Sequence, residues 1–101
     1  MVLHSHLFVA KTLDLLGHKL LDLDAPQQAT VYLRESLSIR TQTGTDDLSR
    51  INSMVQLARS LARSDKPLEA QSYLEAARKR LTNVPSASNL WSVVERELER
   101  L

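Results

Sequence analysis

Three observations predict an all-α fold built from antiparallel helix hairpins. Apolar residues recur at steps of three and four, the breaks between these runs are short, and no stretch alternates apolar and polar residues over strand length between turn signals. Composition agrees. The 101 residues include only two Gly and three Pro, and 43% are hydrophobic. Leu, Ala, Arg, Glu, Gln and Ser dominate, as in packed helices. The length suits one continuous core, so residues 1–101 are expected to form a single domain.

The first helix is marked by Leu3, Leu7, Ala10, Leu13, Leu16, Leu20 and Leu23, which are expected on one stripe. Asp24-Ala25-Pro26 then breaks it. Proline disfavours the α conformation in the residue before it but suits the first turn of a new helix, where no N–H is needed. A second helix therefore starts near Pro26, carries Ala29, Leu33, Leu37 and Ile39, and ends at Gly44 as C-terminal cap, with Thr45 and Asp46 as candidate N-caps of the next. The third helix runs roughly over 47–64 with Ile51, Met54, Leu57, Ala58, Leu61 and Ala62. It stops before Asp65-Lys66-Pro67, a second break of the same kind. The fourth carries Ala70, Leu74, Ala77 and Leu81. Beyond Asn83-Val84-Pro85, the run from Ser86 to Asn89 offers several caps for a final helix with Leu90, Val94, Leu98 and Leu101 as its apolar stripe and Trp91 beside them, expected to be buried. Such short connections force antiparallel neighbours.

The two breaks belong to a longer correspondence. Leu16 matches Leu57, Gly17 Ala58, Leu20 Leu61, Asp24 Asp65, Pro26 Pro67, Ala29 Ala70, Tyr32 Tyr73 and Leu33 Leu74, each pair separated by 41 positions (67 − 26). Chance would give some Leu and Ala matches, but Pro, Asp and Tyr in one register indicate an internal repeat.

At these residues the chain resembles the tetratricopeptide repeat, whose pattern sets a Leu and a small residue in helix A against a small and a bulky residue in helix B. Leu16-Gly17, Leu20, Ala29 and Leu33 fit it, as do Leu57-Ala58, Leu61, Ala70 and Leu74. The 41-residue spacing and the segment from Ala29 to Asp47 look like the longer repeats of kinesin light chain. Leu13 and Met54 stand where an aromatic residue is usual, and Ser36 where Ala is common. The resemblance implies a right-handed superhelical array with repeat 1 over about 3–43, repeat 2 over about 47–82 and a capping helix over about 87–101.

Composition and motifs exclude several function classes. Thirteen basic against twelve acidic residues give a net charge of +1, too small to hold nucleic-acid phosphates non-specifically. With no Cys there is no disulfide, thiolate nucleophile or Cys-based metal site, which fits a reducing compartment, the cytoplasm or the nucleus. The opening segment is interrupted by Lys11, Asp14, Lys19 and Asp22, so neither a membrane span nor a secretory signal is expected. His4 and His6 would point about 200° apart on a helix, and His18 lies turns away, so no metal site is expected. No Gly-rich phosphate loop, HExxH or GxSxG motif occurs, and neither enzymatic activity nor a cofactor is expected. Glu95, Glu97 and Glu99 interleave with Arg96 and Arg100 as on a solvated helix surface.

What remains is protein binding. In tetratricopeptide arrays the A helices line the concave face, and the resemblance places Lys11, Asp14, His18 and Asp22 of the first helix there, with Asn52, Val55, Gln56, Arg59 and Arg63 of the third. Asn52, Gln56, Arg59 and Arg63 form one stripe that offers amide and guanidinium hydrogen bonds to an acidic peptide or protein partner. The carboxylate clamp of chaperone-binding members would need Asn four residues after Lys11, where Leu15 stands. The alternative is a structural element that self-associates, as a homodimer, through its terminal helices, or one segment of a larger signalling or regulatory protein.

Overall fold

The five runs of helical period become five helices. The computed structural model describes residues 2–44, 47–84 and 86–101, with α1 (Val2–Asp22), α2 (Pro26–Thr43), α3 (Asp47–Arg63), α4 (Pro67–Leu81) and α5 (Ser88–Arg100) in order and no strand among the described residues. Each helix packs on the next; α3 also touches α1 and α5, so it lies at the centre of the 41 × 33 × 19 Å molecule. None of these helices is long and apolar enough to cross a membrane.

The two inter-helix breaks repeat in backbone geometry as well as in sequence. Asp24 and Asp65 adopt left-handed φ values of 60° and 62°. Short polar side chains tolerate that region better than others. The following residue reaches back five positions in both turns, with Ala25 N–H donating to Leu20 O at 2.8 Å and Lys66 N–H to Leu61 O at 2.9 Å. These bonds satisfy carbonyls that a helix end would otherwise leave unpaired. Ala25 and Lys66 then take nearly equal angles, φ −118°, ψ 65° and φ −124°, ψ 62°, before a proline opens the next helix. Neither helix start uses a side-chain cap.

Gly44 closes α2 in the left-handed conformation, φ 71°, its N–H bonded to Arg40 O, as expected of a C-terminal glycine. The candidate caps Thr45 and Asp46 lie outside the described residues. At α5 the capping position is Ala87, which makes no side-chain cap bond, and the side chain of Ser88, one of the expected caps, lies outside the described residues. A turn in which Ala87 N–H bonds Val84 O at 3.0 Å carries the small apolar residue into the core instead.

The core is a seam of leucines between small residues. Ala29, Leu57, Leu61, Ala70, Ala77 and Leu81 are wholly buried, with Leu33, Ala58 and Leu74 at 1% exposure. On α1 the buried side differs from the expected stripe. Among the described side chains it comprises Ala10, Leu13, Gly17 and Leu21, while Leu16 is 44% and Leu23 65% exposed; the Leu3 side chain lies outside those described. Counted at about 100° per residue, the expected series drifts around the cylinder, whereas 10, 13, 17 and 21 hold one narrow arc. Where α3 packs against both α2 and α4, α1 packs mainly against α2, and Leu16 lacks the cover that Leu57 has.

A buried polar contact fixes α2 on α3. Thr30 Oγ1 and Ser60 Oγ lie 2.9 Å apart, and each also lies 2.9 Å from a carbonyl of its own helix, Pro26 O and Leu57 O. Each hydroxyl has one hydrogen, so one donates to the other hydroxyl while the second donates to its own carbonyl, and both oxygens are satisfied inside the interface. Trp91, expected to be buried, is half-buried against the core.

Candidate functional site

Five of the predicted side chains converge. Lys11, Asp14 and His18 from α1 and Asn52 and Gln56 from α3 line a groove of about 600 Å³, together with Leu15, Arg40, Ser49 and Ser53. The spacing explains this: residues 11, 14, 15 and 18 are one stripe of α1, and 49, 52, 53 and 56 one stripe of α3. Leu15, 63% exposed, supplies the groove's apolar surface. Sequence reasoning met this residue only as a missing amide. Arg40 was not foreseen, because it reaches the groove from α2.

One wall is held by a charged network. Arg40 Nη2 donates to Asp14 Oδ2 at 2.7 Å and Ser36 Oγ to Asp14 Oδ1 at 2.5 Å. Both Asp14 oxygens are thus engaged within the fold, and the Arg40 side chain is only 13% exposed. Charge-assisted bonds in such partly buried places are stronger than those at an open surface. Asp14 therefore shapes the groove more than it offers an acceptor to a ligand. Lys11 and His18 are exposed and make no ion pair among the described residues.

The remaining predicted residues lie elsewhere. Arg59 and Arg63 line a second groove of about 550 Å³ with Glu97 and Arg100 of α5. Arg59 Nε stands 3.8 Å from Glu97 Oε2, and Arg63 Nη2 donates to Leu21 O and Asp24 Oδ1, each at 3.2 Å. The two guanidiniums tie α3 to α5 and to the turn after α1, so the positive stripe is largely neutralised by the fold. Glu97, read from sequence as part of a solvated surface, has a side chain only 13% exposed, because Arg59 and Arg100 close over it. Val55 needs correction: expected to meet a partner, it is 1% exposed and belongs to the core. It lies about 100° from Gln56 but only about 60° from the buried Ala58 around the helix. Asp22 is exposed and lines neither groove.

The histidines do not form a site. His6 and His18 are exposed, the His4 side chain lies outside the described residues, and no group of three His, Asp or Glu that could hold a metal occurs among those described. Compared with family models, curated proteins and solved structures, the chain shows no significant match to any.

Proposed function

We propose that the chain is a tetratricopeptide-like array of two helix hairpins capped by α5, and that it binds an extended segment or helix of a partner protein in the groove between α1 and α3. The observation that carries this reading is the convergence of Lys11, His18, Asn52 and Gln56 around the exposed Leu15. Two amides suit a peptide backbone, Leu15 an apolar side chain, and Lys11 with His18 a carboxylate. Because Arg59 and Arg63 already hold carboxylates, the partner needs one or two acidic residues rather than an acidic run. The function is binding, with no chemical step. Preformed helices present the groove ready-made, so the partner bears most of the ordering cost.

The test is selection of peptides from a displayed random library on the immobilised chain. Enriched peptides should lose at least about tenfold in affinity with Asn52→Ala/Gln56→Ala and with Lys11→Glu, and keep it with Gln71→Ala on the exposed side of α4. A library that yields no saturable binder, or binders indifferent to the groove substitutions, would contradict the proposal.

A further inference from the structure

The 41-residue register singles out a second surface, independent of the groove. On α3, Leu57 and Leu61 flank Ser60 on the side where α2 packs, as the 2.9 Å contact between Ser60 and Thr30 marks, and all three are wholly buried. Counting back 41 positions gives Leu16, Lys19 and Leu20 on α1. Here Leu16 is 44% exposed, Leu20 half-buried and Lys19 exposed, and they line a shallow groove of about 410 Å³ with Gln28, Val31 and Tyr32 of α2. Val31 is 62% exposed, and Val9 on α1 and Leu23 just beyond it add apolar surface at 43% and 65%. Contiguous apolar surface of this kind marks an interaction site far more often than scattered exposed leucines do.

The fold itself shows what fits such a face, because α2 occupies its counterpart on α3. We propose that the Leu16–Leu20 face docks an amphipathic helix of a partner protein, seated on α1 as α2 sits on α3, with a carboxylate where α2 carries Thr30. The carboxylate follows from charge complementarity. Lys19 replaces the small hydroxyl of Ser60 and its side chain makes no hydrogen bond or ion pair among the described residues, so a helix closing over it must supply an acceptor. Lys19 is also longer than Ser60, which sets the docked helix further from α1 than α2 stands from α3.

The probe is α2 itself as a labelled peptide of residues 26–43, in its native form and with Thr30→Glu. A staple between positions 38 and 42, both on the exposed side of α2, makes the peptide helical before it binds. Fluorescence anisotropy against the full chain should show saturable binding, with the Thr30→Glu peptide several-fold tighter than the native one. Lys19→Glu should reverse that order, and Leu16→Glu should abolish binding of both while leaving the far-UV circular dichroism melt in place. Absence of saturable binding, or binding unchanged in Leu16→Glu, overturns the proposal, the latter because a peptide that merely displaces the native α2 from α3 ignores that substitution. A dimer of the chain alone in light scattering, dispersed by Leu16→Glu, overturns it in favour of a second copy as the occupant.

Discussion

A Cβ placed on Gly17 would lie 2.6 Å from both Cγ and Cδ2 of Leu33. The first hairpin is therefore closed by the absence of a side chain: Leu33, 1% exposed, fills the volume a methyl group would need. At the same register the second hairpin carries Ala58 and Leu74, both buried, so the core there accommodates a methyl group. Gly17→Ala should gain up to about 1 kcal/mol of helix propensity. Against this stands overpacking of about 1–3 kcal/mol, since a core leucine has no open direction in which to give. We expect a net loss, seen as a melting temperature lower by several degrees. A rise would mean that Leu33 has a second rotamer available.

The matching small residue on the other side of each hairpin is open to the same argument without a propensity gain. Ala70 is wholly buried at the start of α4. Ala70→Leu should cost about 1–3 kcal/mol, measured by urea denaturation. An unchanged midpoint would count against the close approach of α3 and α4 at this point.

The left-handed aspartates make a prediction of the opposite sign. Asp65 holds φ 62° and makes no ion pair among the described residues, whereas Asp24 holds φ 60° and accepts from Arg63. Glycine carries no steric penalty in that region, where other residues lose about 1 kcal/mol or more. Asp65→Gly should therefore raise the melting temperature by a few degrees, and Asp65→Val should lower it. Asp24→Gly should gain less, because it also removes the contact with Arg63.

Among the described residues, Glu69 is the identifiable contributor to acid sensitivity. The hydrogen bond from Arg34 at 2.7 Å holds the Glu69 carboxyl below its ordinary range; desolvation opposes it, and the charges of Arg34 and Lys66 add smaller contributions in the same direction as the hydrogen bond. A carboxyl with a lower pKa in the folded chain contributes stability that is complete above its unfolded value. That contribution disappears as pH falls through the folded one. The pair bridges α2 and α4 at the surface, so the contribution is small, but the titration is measurable residue by residue. In Arg34→Ala the Glu69 midpoint, followed by carboxyl ¹³C shifts, should move up to the ordinary range. A midpoint that stays low would show that Lys66 rather than Arg34 is responsible.

The turns were the most legible part of this fold in the sequence. Asp-x-Pro spaced 41 residues apart reads as stop and restart because proline and a left-handed aspartate act locally, and local rules need no tertiary context. The buried side of α1 was not legible. Its leucines outnumber the positions that α2 covers, and only the packing shows that Gly17 and Leu21 face inward while Leu16 faces out. The groove was half legible for a related reason. Helical spacing selected Lys11, His18, Asn52 and Gln56, but Arg40 and Glu97 reach their places from other helices, and no spacing rule within one helix finds them. Val55 shows the limit of a stripe drawn by steps of three and four: one residue from Gln56 is enough to cross from groove to core.

The groove between α1 and α3, proposed here to receive a partner, can be mapped residue by residue. The most direct measurement is a ¹H–¹⁵N chemical-shift titration of the full chain with a peptide enriched by library selection. The largest shifts should fall on Lys11, Leu15, His18, Asn52 and Gln56, with their amplitudes saturating together. Shifts confined to the Leu16, Val31 and Tyr32 face, or to α5, with those five residues unmoved, would contradict the proposal.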